Sequence, residues 1–335
     1  MAIIRDMISG FELFQPTDVD DAIELLSRYG EDGWVLSGGL DSFDWFKDRI
    51  KKPTAVVDLA QVEELKGVRT GSEGVEIGAM TTITEVAKHS HIVENYSVLA
   101  KAAGHIATPQ IRNRGTLGGN LSQDTRCWYY RSGWPCYRAG GNVCYAGTPT
   151  SMNREHCITG ASRCVAVNPS DSAPALISLG AQFVIKGPKG ERIVEAQDYF
   201  MSPAVDIERM TILNPGELLT SIRIPTTWSG AKFYYEKVED RKAWDFALMS
   251  VASAIKMDGN VIEDVRLSVN GVAPFPVRLE VVESFIKGKE PTDELGMAAG
   301  QLSLSTTNAQ PLRHNDFKLP LMRNLVRRSI RGMED

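Results

Sequence analysis

A chain of 335 residues with 43% hydrophobic and 24% charged side chains carries apolar material for two or three globular modules rather than one small core. Its formal charge of -5 argues against a nucleic-acid partner, which requires a basic face. No apolar run reaches the length of a membrane span.

Taken in chain order, Met1-Ala2-Ile3-Ile4-Arg5-Asp6 lacks the basic start, apolar stretch and cleavage site of a secretory leader, so the expected compartment is the cytoplasm unless a partner carries an export signal. Thr17 is placed to cap a helix over 18–29 with Val19, Ala22, Ile23, Leu25 and Leu26 on its apolar side. Trp34-Val35-Leu36 reads as a strand broken by Ser37-Gly38-Gly39, followed by a helix over 42–47 and a strand over 54–58. This alternation predicts a small α/β subdomain over 1–60. The region 61–228 opens with a strand at 74–78, then helical patterns at 83–88 and 96–106, and a loop rich in Arg and Gly. A cysteine-bearing excursion over about 122–165 follows, then a helix from Ser170 or Asp171 through Leu179, and a hairpin of 182–186 and 192–195 around Pro188-Lys189-Gly190. In 229–335, strands at 233–238, 250–257 and 261–271 and helices at 279–287 and 321–329 predict an antiparallel sheet with helices on one face. The fold class is α+β, without internal repeats.

Two glycine segments, Ser37-Gly38-Gly39 and Thr116-Leu117-Gly118-Gly119-Asn120, allow close backbone approach to an anion. Neither has the spacing of a dinucleotide-fold fingerprint or a P-loop, and each alone is equally a tight turn. Together they could hold the two phosphates of one dinucleotide, with Arg112 and Arg114 adding charge. All five cysteines, Cys127, Cys136, Cys144, Cys157 and Cys164, fall within 38 residues. An odd number in a reducing compartment does not suggest disulfides. The close Cys pairs typical of zinc sites are missing, whereas single cysteines on long loops can wrap a larger cluster behind Trp128, Tyr129, Tyr130, Trp134 and Tyr137. From the residues alone, iron–sulfur and zinc both stay open, with His156 a further possible ligand.

The ordered set Ser37-Gly38-Gly39-Leu40-Asp41-Ser42, Ile77-Gly78-Ala79-Met80-Thr81-Thr82, Thr116-Leu117-Gly118-Gly119-Asn120, Asn168-Pro169-Ser170-Asp171, Tyr235-Glu236-Lys237, Arg241-Lys242-Ala243-Trp244-Asp245, Asn270-Gly271-Val272-Ala273-Pro274 and a closing helix over 320–328 resembles the FAD-binding medium subunit of the molybdenum hydroxylases, the xanthine dehydrogenase and aldehyde oxidoreductase family. The resemblance implies a two-subdomain FAD-binding (PCMH-type) domain followed by a C-terminal flavoprotein domain. It implies FAD near Ser37, Gly38, Gly39, Leu40, Asp41, Thr81, Thr116, Gly118, Gly119, Asn120 and Asp171, with Lys237 and Arg241 contributed by the C-terminal domain. Leu40 departs from the polar residue that many relatives carry there.

The excursion resembles the inserted 4Fe-4S loop of two subgroups, bacterial aldehyde oxidoreductases and 4-hydroxybenzoyl-CoA reductases. That implies Cys127, Cys136, Cys144 and Cys164 as ligands and Cys157 in reserve. The implied task is electron transfer, with no catalytic acid or base on this chain. A large partner subunit would hold the molybdenum cofactor, a small one 2Fe-2S clusters, and ferredoxin or another carrier would be the external acceptor or donor. The rival readings are a free-standing flavin oxidoreductase and a zinc-stapled docking subunit.

Overall fold

Acidic side chains open the first helix of the computed structural model, which describes residues 8–332. The opening hexapeptide read above for export signals lies outside the described residues. The N-cap of the helix Val19–Tyr29 is Asp18 rather than Thr17: its extended backbone lets Oδ1 accept from the Asp21 N–H at 2.9 Å. The helix packs on a three-stranded parallel sheet ordered Glu12–Phe14, Ala55–Asp58, Gly33–Leu36. Ala55, Val56 and Val57 are fully buried in its central strand.

A second, antiparallel sheet runs Val68–Gly71, Gly74–Gly78, Leu218–Pro225, Gln182–Gly187, Gly190–Glu195. Its core is closed by the helices Ile83–Lys88, Ser97–Gly104 and Ser172–Ser178. Thr82 and Glu85 form a reciprocal capping box at the first of these, which fixes the turn leaving strand Gly74–Gly78. The sequence pattern missed Leu218–Pro225, the middle strand, because its partners lie far away in the chain.

The third sheet is antiparallel and ordered Lys232–Val238, Met249–Asp258, Val261–Asn270, Val277–Arg278 in strand sequence from its far edge. Helices Glu280–Ile286, Asp293–Thr306 and Lys318–Arg331 accompany it. The second of these was not anticipated. Two glycines lower its helix propensity, yet they allow close packing: a Cβ at Gly300 would stand 2.3 Å from the Arg323 carbonyl oxygen of the neighbouring helix. The architecture is α+β. Among the described residues, no helix is long and apolar enough to cross a membrane.

Candidate functional site

Strand Gly33–Leu36 delivers the chain to a turn at residues 37–41 that bounds a cleft of about 660 Å³. Gly39 has φ 80°, and a Cβ there would meet the Phe43 ring at 2.9 Å; one at Gly38 would stand 2.2 Å from the Arg114 carbonyl oxygen. Only glycine fits both positions. The backbone N–H groups of Gly38, Gly39, Leu40 and Asp41 donate to no acceptor within the described protein. Consecutive free N–H groups around a left-handed residue make an anion-binding concavity.

The second glycine segment is the start of a helix, Leu117–Ser122, rather than an open loop. Thr116 is its N-cap, with Oγ1 accepting from the Gly119 N–H at 3.1 Å. The Leu117 and Gly118 N–H groups are already bound to the carbonyls of Thr81 and Ala79 at 2.9 and 2.8 Å. This segment therefore offers the cleft a surface without side chains rather than free backbone donors. Ser37 Oγ and Thr116 Oγ1 meet at 2.5 Å and join the two segments directly. Asn120 is fixed by Ser170, whose hydroxyl donates to Asn120 Oδ1 at 2.7 Å.

Of the residues singled out from the sequence, Ser37, Gly38, Gly39, Leu40, Asp41, Thr116, Gly118, Gly119, Asn120 and Asp171 all line this cleft. Three do not. Thr81 is 1% exposed and donates its hydroxyl to the Gly67 carbonyl at 3.0 Å, holding a turn behind the wall. Arg241 is an exposed side chain that donates to the Trp244 carbonyl at 3.0 Å. Lys237 lies behind Asp171, donating to Asp171 Oδ2 at 2.8 Å and to the carbonyls of Asp245 and His105 at 2.8 and 3.1 Å, with Glu239 Oε2 at 3.1 Å. Burial pushes the Asp171 carboxyl up to about 6, and Lys237 opposes that shift. For Lys237 burial works the other way, but Asp171 and Glu239 outweigh it and raise its pKa.

The cleft has a further wall whose residues, some of them inside the resemblance segment 241–245, were not assigned to the site from the sequence. Trp244, Asp245 and Phe246 reach it from the loop after strand Lys232–Val238, and Arg126 stacks over the Phe246 ring at 4.7 Å. Residues 208–211 close another side. A cluster of Trp, Arg and Phe outside regular elements was the available signal.

Asp41 ties this cleft to the cysteine excursion. Its Oδ1 accepts from Arg131 at 2.6 Å and pairs with Arg126 at 3.2 Å, while Oδ2 accepts from the Asp124 N–H at 3.2 Å. Arg131 also lies over the Trp45 ring at 3.9 Å, so the excursion is clamped to the first subdomain. A smaller cavity of about 70 Å³ shares Arg126, Pro169, Asp171, Asp245 and Phe246 with the cleft and reaches Cys127 and His156 on its other side.

All five cysteines are free thiols, with Cys136, Cys157 and Cys164 buried. Cys164 is their common neighbour: it acts electrostatically on Cys127 and Cys157, and is acted on by Cys144 and Cys136. Burial pushes Cys127 and Cys157 up to about 12, while backbone N–H groups of Tyr130 and Tyr129 work against the shift at Cys127. His156 Nε2 lies 3.3 Å from Cys127 Sγ. Among the described residues, no three or more His, Cys, Asp or Glu converge closely enough to ligate one metal ion.

Comparison with known proteins places this geometry in a family. A family model described as the FAD binding domain in molybdopterin dehydrogenase matches residues 9–227, and one for the CO dehydrogenase flavoprotein C-terminal domain matches 233–333. The chain is 33% identical to the aldehyde oxidoreductase FAD-binding subunit PaoB of Escherichia coli (strain K12), covering 87% of this chain and 88% of that one. It is 29% identical to the carbon monoxide dehydrogenase medium chain of Hydrogenophaga pseudoflava, over 96% of each. A solved structure of Cu,Mo-CO dehydrogenase in a cyanide-inactivated form superposes with a TM-score of 0.77 at 26% identity, covering 97% of this chain and 98% of that one. With both family models matched in order and relatives aligned along most of its length, the chain belongs to the FAD-binding medium subunits of the molybdenum hydroxylases, a family of oxidoreductases.

Proposed function

We propose that this chain is the electron-transfer subunit of a molybdenum-cofactor hydroxylase or dehydrogenase, holding FAD in the cleft and a 4Fe-4S cluster in the cysteine excursion. The observation that carries the reading is the adjacency of the two sites: one short segment, Arg126-Cys127, contributes to the cleft with its first residue and to the thiol group with its second. FAD supplies an exchange between two-electron and one-electron chemistry, and an iron–sulfur cluster supplies one-electron transfer.

The free N–H groups at 38–41 suit one phosphate of the cofactor, and the bare surface at Gly118 and Gly119 suits close approach of the remainder. Ser37, Thr116, Asn120 and Asp171 offer polar contacts along the same wall. Lys237 acts as the support that keeps Asp171 charged and the 244–246 segment in position. Arg241 and Thr81 act through the turns they hold.

Cys127, Cys136, Cys144 and Cys164 are the proposed ligands. What supports a cluster over zinc is the sequence spacing, single cysteines on long loops rather than close pairs; among the described residues no three or more His, Cys, Asp or Glu form a group that could hold one metal ion. Burial disfavours the Cys127 thiolate, and an iron ligated there would supply the positive charge that stabilises it. In the proposed assembly a large molybdenum-cofactor subunit and a small subunit with 2Fe-2S clusters exchange electrons with this one, and an external carrier such as ferredoxin completes the chain.

The test is anaerobic isolation of the intact complex with iron, sulfide, zinc and flavin measured per chain. The expected result assigns one FAD and one 4Fe-4S cluster to this subunit. Zinc without sulfide, or flavin with no iron beyond that of the small subunit, would overturn the cluster assignment.

A further inference from the structure

Three of the buried polar atoms without a protein partner come from three separate segments and belong to residues lining one cavity: Arg126 Nε, His156 Nδ1 and Asn270 Oδ1. This is the cavity of about 70 Å³ beside the cleft. It has room for several waters, since one needs about 10–15 Å³. Each of the three side chains is pinned by its other atoms. Asn270 Nδ2 donates to the Ser170 carbonyl at 2.7 Å, which leaves Oδ1 as the unmatched end. His156 Nε2 lies 3.3 Å from Cys127 Sγ, and the Arg126 guanidinium is held by Asp41 at 3.2 Å and by the Phe246 ring.

The chemistry of the lining selects the occupant. Arg126 Nε–H can only donate, and Asn270 Oδ1 can only accept. An anion would face the carboxylates of Asp171 and Asp245, and a cation would face Arg126. Water donates and accepts without carrying charge, and buried polar groups are matched by protein or by ordered water. Among the lining residues, Asp171, 5% exposed, and Asp245 are shared with the cleft, whereas Glu155 and Trp128 are exposed and do not line the cleft. The cavity therefore touches both the inner wall of the cleft and the surface of the excursion.

We infer that this cavity is a water site, and that its waters carry protons between solvent near Glu155 and the buried Asp171 carboxyl. A proton passes from water to a carboxylate oxygen or returns, and Lys237, at 2.8 Å, steadies the carboxylate once the proton has left. The charged and titratable groups facing Asp171 are Lys237 and Glu239, Tyr235 on the same strand as Lys237, and Arg126, His156 and Asp245 around the cavity. A flavin seated in the cleft would cover the route through its mouth, and the passage keeps Asp171 in exchange from behind. That use rests on the flavin reading above; the water site does not.

The experiment uses the intact complex. Its high-resolution crystal structure should show ordered waters in the cavity, bonded to Arg126 Nε and Asn270 Oδ1; a dry cavity overturns the inference. Proton exchange is read from the infrared C=O stretch of the protonated Asp171 carboxyl after transfer to D2O at about pH 5. There the group, pushed up to about 6 by burial, is largely protonated, and Asp171→Asn identifies its band. Ala166→Leu adds apolar volume to the lining and should slow this exchange at least tenfold in the flavin-loaded complex. Exchange as fast as in wild type, with the waters shown to be displaced, overturns the passage. Should that variant fail to assemble, Ala247→Leu fills the cavity from another segment and is read in the same way. Slowed exchange in a complex that binds no flavin upholds the passage and overturns the flavin reading instead.

Discussion

Replacing Lys237 by Met tests the support behind the cleft. The substitution keeps the length of the chain but leaves the Asp171 and Glu239 side chains, 7% and 10% exposed, without their cation. It also strips the donor from the carbonyls of His105 and Asp245. Removing one partner of a buried ion pair costs about 3–5 kcal/mol, far more than loss of a surface pair. Urea unfolding of the variant should show a deficit of that order at about pH 7, and flavin content should fall because Asp245 and its neighbours lose their tether.

The pH dependence carries a sign. Native Asp171 holds its proton up to about 6 against an ordinary value of 3.8, so between these the folded state binds more protons than the unfolded one. Stability from this group is therefore present below 3.8 and is lost as pH rises through 6. Without Lys237 the native value moves further up. The deficit of Lys237→Met against wild type should then shrink as pH is lowered from about 7 to about 5. Adding Asp171→Asn should recover part of it at neutral pH. A deficit below about 1 kcal/mol, or one indifferent to pH and to Asp171→Asn, would refute the argument.

Further outcomes follow from the same geometry. In Gly119→Val the new Cβ would stand 2.9 Å from Thr116 Oγ1 and 3.4 Å from Ser37 Oγ, so the junction of the two segments opens; flavin occupancy should drop at least tenfold in the purified protein. Cys136→Ser should lose the broad iron–sulfur absorbance and keep most of the flavin, whereas Cys157→Ser should keep both; the reverse pattern would exchange the two residues in the ligand set. Arg131→Ala removes the 2.6 Å contact to Asp41 and the stacking on Trp45, and should loosen the excursion by about 1–3 kcal/mol, read as faster proteolysis within 126–145.

Local signals disclosed much of this structure. Strand Gly33–Leu36, its glycine turn and helix Ser42–Lys47 were legible because a short apolar run, glycines and a helical pattern follow one another directly. The hairpin Gln182–Gly187 and Gly190–Glu195 was legible through its Pro-Lys-Gly turn. Elements that depend on distant partners were not. Glu12–Phe14 is three residues long and defined by pairing with Ala55–Asp58, and Leu218–Pro225 joins two strands far earlier in the chain.

In the cleft, glycines marked the two segments but not their difference: the free N–H groups belong to 38–41, while those of Leu117, Gly118 and Gly119 are spent on neighbouring oxygens. Trp244, Phe246 and Arg126 received no cleft role from the sequence because no periodicity distinguishes a cleft-lining loop residue from an exposed one. Lys318 lies outside the helix 321–329 expected from the sequence; the helix begins at Lys318, and only packing makes that residue fully buried.

The most direct measurement is an anaerobic redox titration of the intact complex, followed together by visible absorbance and low-temperature electron paramagnetic resonance, in wild type and Cys136→Ser. Two centres are expected on this chain, a flavin and one iron–sulfur cluster, and Cys136→Ser should abolish the second while the flavin still titrates. Identical cluster signals and iron content in the two proteins, or a wild type whose iron is all accounted for by its partners, would contradict the proposed pairing of flavin and cluster.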